Sequence, residues 1–298
     1  MQNYLGESAA LLTAIFWTIT ALAFEKASLK MGSLTLNVVR LLIGFVFLTI
    51  YVWIRRGIPL PFDATGHAWF WLLASGFVGF VFGDLFLFKS YTLIGSRFAM
   101  LIMTLAPPIA AFGGWIALGE ALSPINIMGM FITIFGISLA IFNKKRGEKG
   151  IGLKLSITGI IFAFFGAAGQ GIGLVLSKYG MGDYDPFAAT QIRLIAGIFG
   201  FAVLVLVTGK WNKVISSVKK KDGLAAATLG SFFGPFLGVS FSLLAVKFTE
   251  TGIAATIMAI VPILIIPPAI LIYKEKITLM EFLGSLISIG GVALLFLT

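Results

Sequence analysis

Ten near-continuous apolar stretches, each about twenty residues long, run through the chain with short polar breaks between them. They fall at about 6–24, 36–54, 69–88, 96–118 and 124–142, then at about 155–177, 187–208, 223–246, 252–272 and 278–297. Wound as a helix, a run of that length matches the hydrocarbon thickness of a bilayer. Backbone polar groups cannot stay unpaired in lipid, which leaves helices or closed barrels. Barrel strands would alternate apolar and polar residues with frequent turns, and no stretch here does so. The pattern predicts an all-α integral membrane protein of ten transmembrane helices. The clearest linker, NKKRGEKGIGLK at 143–154, divides them five and five. In the break at 209–222, Trp211, Val214, Ile215 and Val218 share one helical face among five lysines. That arrangement predicts a short helix lying in the lipid interface.

The stretch 96–142 occurs twice. Pro107 stands 13 residues before Glu120, and Pro262 stands 13 residues before Glu275. Ala99, Met103, Gly129, Gly136 and Leu139 meet Ala254, Met258, Gly284, Gly291 and Leu294 at the same shift of 155. Gapless register over a Met, a Pro and a Glu marks a tandem duplication, with halves at 1–146 and 147–298. Five spans is an odd number, so the second copy enters the bilayer upside down. Inverted repeats usually enclose a site near the midplane, opened alternately to each side.

Small residues recur every four positions at Gly230, Gly234 and Gly238, and at Ser75, Gly79 and Gly83. Such stripes let helix backbones approach where lipid gives no hydrophobic drive. The sixth span, GAAGQGIG at 166–173, reads as looser and as a possible gate. Pro107-Pro108, Pro262 and Pro267-Pro268 each free a carbonyl and kink the fourth and ninth spans. Pro107 and Pro262 are therefore candidate hinges, with a packing kink as the alternative.

Composition agrees with the pattern and narrows the chemistry. Apolar residues make up 59% of the chain and charged residues 11%, against near half and a quarter in soluble domains. With no cysteine and a single His67 in a polar turn, disulfides, thiolate sites and histidine clusters are excluded, and no cofactor is expected. The net charge of +10 belongs to inter-helix loops facing anionic lipid; no loop is long enough to fold into a nucleic-acid reader. The N-terminus lacks a basic region and a small-residue cleavage site, so 6–24 reads as a mature first span. No GxxxxGK[ST] loop is present, which points to an ion gradient, exchange or the solute's own gradient as the energy source.

Few residues could carry chemistry. Asp84 is the only carboxylate well inside a predicted span, and its repeat mate is Val239. An acid at that depth serves proton coupling or binds a substrate cation, or else pairs with Arg97, Lys89 or a base on a neighbouring span. Arg40 and Arg193 occupy equivalent places in the second and seventh spans, as Lys26 and Lys178 do in the first and sixth. They read as helix-end anchors whose side chains snorkel, or as a basic vestibule at each mouth that attracts anionic substrate groups, with Arg40 and Arg193 as the gating residues. Glu120 and Glu275 follow the kinked spans, where a carboxylate accepts the free amides of the next helix.

The duplicated five-span halves, LGEAL at 118–122, YKEKI at 273–277 and TETGIAATIMAIVP at 249–262 resemble the EamA-type branch of the drug/metabolite transporter superfamily across nearly the whole chain. The resemblance implies a ten-span carrier of amino acids or other small metabolites, often an exporter; the chain is expected to reside in the cell membrane and to work as a monomer. It implies a cavity lined by the first, third, fourth and ninth spans with the sixth and eighth. Trp17 and Gln170 then face inward, with Thr13 and Thr20 a turn from Trp17, and Met100, Met103 and Met258 supply adaptable packing. Aromatic walls with few polar groups suit an amphipathic solute or a cation. Basic residues flanking the spans number sixteen on one side and four on the other, which puts both termini outside; the family habit puts them in the cytoplasm. The combined reading is a secondary transporter of a small amino-acid-like or amphipathic solute, coupled to protons or exchange. A lipid-modifying enzyme or a non-catalytic scaffold is the alternative; the first would need a reactive cluster, and the second needs no kinked central helices.

Overall fold

Gly95 breaks the longest apolar run in the chain. Its φ of 80° and ψ of 159° lie outside helical space, in a region that side chains rarely tolerate. The 47-residue run Gly66–Phe112 therefore folds back into two spans. The computed structural model describes residues 4–118, 123–144, 156–249, 254, 257–274 and 277–294. Among these residues, seven helices are long and apolar enough to cross a membrane, and the run broken at Gly95 counts among them as one. Two shorter apolar helices, Val261–Leu271 and Leu279–Leu294, supply the ninth and tenth spans. Every regular element among the described residues is helical.

The first span is Leu5–Met31 and the second Ser33–Arg56, reversed through Gly32 at φ 87°. The third starts at Gly66, capped by the Thr65 hydroxyl, which accepts from the Ala68 amide at 3.2 Å. The fourth starts after Gly95, where the buried Glu25 accepts from both the amide and the hydroxyl of Ser96 at 3.1 and 2.5 Å. A carboxylate at that place satisfies the orphan amides of a helix start. The fifth span is Pro124–Lys144, the sixth Ile157–Met181 and the seventh Pro186–Val207. Asp185 caps the seventh by accepting from Phe187 and Ala188 amides, with Pro186 at the first turn.

The eighth span runs from Lys221 to Phe248 and the tenth is Leu279–Leu294. The fifth and tenth open on matched reciprocal caps: Ser123 with Asn126, and Thr278 with Glu281, 155 residues apart. Glu120 and Glu275, the expected caps, lie outside the described residues, as does most of the linker, 145–155.

The duplication reaches into the backbone. The third and eighth spans each pass through a π-helical turn, Phe77–Gly83 and Phe232–Gly238, in the same 155-residue register. Such wider turns often mark functional sites, and no sequence signal announced these. Proline kinks fall where the missing amides predict. A 3-10 turn, Met103–Leu105, precedes Pro107, and the ninth span breaks at Ile265 between Val261–Leu264 and Ile266–Tyr273.

Glycines set which helices touch. A side chain at Gly234 would meet Thr20 at 2.7 Å and one at Gly238 would meet Trp17 at 2.8 Å, so the eighth span packs on the first. A side chain at Gly169 would lie 2.5 Å from the Cα of Gly83, so the third span packs on the sixth. Both contacts cross the repeat boundary, which interlocks the halves. The segment 166–173 is thus a close-packing face and not a loose one. Gly166, Gly169, Gly171 and Gly173 all sit against neighbouring helices. The fifth and tenth spans form their own pair, in which the Thr133 and Ser288 hydroxyls donate within their own helices at 2.9 and 3.0 Å and also lie 3.4 and 3.3 Å from each other's carbonyls.

The helix expected from the lysine-rich break is present as Trp211–Val218. Its apolar face is shared. Val214 is buried and Val218 packs on the core, while Trp211 and Ile215 stay exposed.

Candidate functional site

A cavity of about 160 Å³ opens between the two repeats, walled mainly by apolar groups. The π-turns and proline kinks surround it. Asp84 and Val239, the residues that follow the two π-turns, both line it, as do Pro107 and Pro262. The first span contributes Trp17 and Thr20, the fourth Met100 and Met103, the sixth Gln170, and the ninth Met258. The second and seventh spans also reach the cavity, through Arg40 and Arg193. Of the candidates above, these eleven line one space, whereas Thr13, Lys26, Lys178 and most of the segment 166–173 do not.

Its polar groups are few and specifically arranged. Asp84 is 4% exposed. The Arg40 Nη2 donates to its Oδ2 at 2.6 Å, and the Gln170 Nε2 donates to its Oδ1 at 2.6 Å. Gln170 also reaches the Gly79 carbonyl at 3.2 Å, a carbonyl within the π-turn. Asn37 accepts from the Arg40 Nε at 3.0 Å, which fixes the guanidinium from behind. The partner of Asp84 is thus a base on a neighbouring span, and neither Arg97 nor Lys89. Arg97 pairs with Glu281 at 2.9 Å instead, joining the fourth span to the tenth.

Arg40 and Arg193 are not helix-end anchors or mouth residues. They are 2% and 3% exposed, whereas Lys26 and Lys178 are exposed near the ends of their helices. Aromatic rings take the place of solvent. The Arg40 guanidinium lies 4.7 Å from the Phe88 ring centre and 5.4 Å from that of Phe80. Arg193 lies 4.7 Å from the same Phe80 ring. A guanidinium over a ring face recovers about 2 kcal/mol when desolvated, far less than several kcal/mol of hydration lost by a buried ion.

Around these charges the wall is soft. Met100 accepts from the Tyr91 hydroxyl at 3.3 Å, and Phe24 meets Phe88 edge to face at 5.1 Å. Among the described residues, the buried Thr20 hydroxyl has no hydrogen-bond partner. Two further buried carboxylates, Glu25 and Glu281, escaped the sequence reading; both cap helix starts, Glu25 from the end of the first span and Glu281 from within the tenth, and neither lines the cavity. The described residues hold no cluster of three or more His, Cys, Asp or Glu that could bind a metal.

The comparisons with known proteins point the same way. No curated protein matches the chain. A solved structure described only as "Crystal structure of protein" superposes with a TM-score of 0.65 at 17% identity, over 98% of this chain and 96% of its own. That likeness is one of fold. The profile of the EamA-like transporter family matches twice, over residues 4–142 and 157–297, one match for each repeat. Together the two matches cover nearly the whole sequence, and the chain belongs to the EamA-like transporter family, a multi-pass membrane transporter and not an enzyme.

Proposed function

We propose that this transporter moves a small amphipathic solute out of the cell by alternating access, with the inter-repeat cavity as its binding site. The observation that carries the reading is the cavity itself. It lies where the two repeats interlock, its wall is mostly aromatic, aliphatic and thioether, and its only charged lining residues among those described are Arg40, Asp84 and Arg193. Sites of that make-up hold the apolar body of a ligand by burial and orient it with a few polar groups. Trp17, Met100, Met103 and Met258 form the soft wall; Thr20 and Gln170 present polar atoms; Pro107 and Pro262 sit at the kinks where the fourth and ninth spans can bend. Asp84 couples the cycle, since a proton on its carboxylate would release Arg40. The chain works as a monomer, exporting against exchange or a proton gradient.

The test is counterflow in vesicles holding the purified chain, with a panel of small amphipathic acids, amides and amines. Trp17→Ala and Met258→Ala are expected to change the KM for whichever solute moves. Flux that ignores both substitutions would remove the cavity from the pathway.

A further inference from the structure

The duplication delivers two arginines to the cavity but only one carboxylate. Asp84 is already committed, to Arg40 on one oxygen and to Gln170 on the other, each at 2.6 Å. At its repeat mate the chain has Val239, which also lines the cavity and offers no charge. Arg193 is left over. Its side chain is buried, its Nε has no hydrogen-bond partner, and it forms no ion pair among the described residues. Its compensation is the face of Phe80 at 4.7 Å and the field of Asp84, which it does not touch. The described lining residues therefore carry one net positive charge.

A buried cation left without an anion is costly. The Nε is a buried donor left unmet; with one Nη it forms the edge that grips a carboxylate through two parallel hydrogen bonds once the guanidinium turns toward a ligand. We propose that the substrate supplies the missing anion: a small amphipathic monocarboxylate whose carboxylate docks on Arg193 and whose apolar body lies along the Trp17 and methionine wall. The proposal rests on the transport reading above and names the substrate class. One excess charge matches a monoanion. A cation would meet two guanidinium groups and a carboxylate that is already bonded, and a dianion would carry a second charge with no partner.

The experiment compares matched pairs that differ only in charge, benzoate with benzamide and hexanoate with hexanamide. Each is added to the purified full chain in thermal unfolding and tested in counterflow. A ligand that binds the folded state raises its melting temperature with concentration. The carboxylates are expected to bind at least tenfold tighter than their amides. Arg193→Gln is expected to erase that preference while melting no lower than the wild type without ligand, since it removes an unpaired charge. Arg193→Lys should keep a reduced preference. Equal response to acid and amide in the wild type, including no response to either, overturns the anion site, as does an unchanged preference in R193Q. The two readings fail separately. Carboxylate-selective stabilisation without counterflow would sink transport and keep the site; counterflow blind to charge would sink the site and keep transport.

Discussion

Arg40 and Asp84 hold each other in place, so neither can be removed alone without leaving a buried charge. Breaking such a pair typically costs about 3–5 kcal/mol, whereas removing both partners is often close to neutral. Arg40→Gln and Asp84→Asn are each expected to lower the melting temperature sharply and to abolish transport. The double variant R40Q/D84N should recover most of the stability and none of the transport. A double variant no more stable than the worse single one would show that the pair is not the source of the loss. At this scale the sequence named the actors but not their pairing. Asp84 was visible because charge is rare inside spans, and Arg40 because Arg193 repeats it. Which base meets which acid depends on the rotation of each helix and on which spans touch, and hydropathy encodes neither. Glu25 went unseen for a related reason. It lies past the apolar window of the first span, and only the break at Gly95 brings a helix start to it.

Between residue and molecule, the helices are set by where side chains are absent. The stripes at Gly79, Gly83, Gly234 and Gly238 were legible as contact faces, but a stripe does not say which neighbour it meets. The sixth span was misread as loose because glycine weakens an isolated helix, while in contact it lets two backbones close. Gly169→Ala is expected to destabilise by about 1–3 kcal/mol, the usual cost of overpacking, because its methyl would lie 2.5 Å from the Gly83 Cα. Gly290→Ala is the control: it meets nothing within 4 Å and should stabilise the tenth span by about 0.5–1 kcal/mol through helix propensity. Equal melting shifts for the two would refute the contact. The loop between the second and third spans is held differently. Asp63 pays a burial cost that pushes its carboxyl up, but hydrogen bonds from Tyr184 and Arg56 outweigh it and hold the group below the usual carboxylate range. The depressed value fixes the sign. The tether is fully present above about pH 4, the unfolded value, and is lost as the pH falls through the lower folded value. Proteolysis within 57–65 should therefore accelerate in acid, and Asp63→Asn should cleave fast at every pH; an acid dependence that survives the substitution would assign it to another group.

For the whole molecule, the duplication proved the most readable feature, since a constant shift of 155 fixes span number, inversion and the place of the cavity together. The π-turns obey that same shift and share Phe77/Phe232, Gly79/Gly234 and Gly83/Gly238, but this pattern reads as a helix-contact stripe, because a widened turn is a compromise among packed neighbours that hydropathy does not encode. What the repeats imply about motion can be tested directly. If the solute is exposed alternately to each side, helices of opposite repeats must slide or rock against each other around the cavity. Ser75 of the third span and Ser177 of the sixth belong to opposite repeats and place their hydroxyls 2.6 Å apart. The chain has no cysteine, so the pair S75C/S177C can be introduced without a background thiol, and its two sulfurs start close enough to form a disulfide after small adjustment. Oxidation is expected to cut counterflow at least tenfold and a reductant to restore it, while either single cysteine transports in both conditions. Full flux through the oxidised double variant would show that the third and sixth spans travel as one body. The moving surface would then have to be the contact of the first span with the eighth, which the same repeat relation makes its mate.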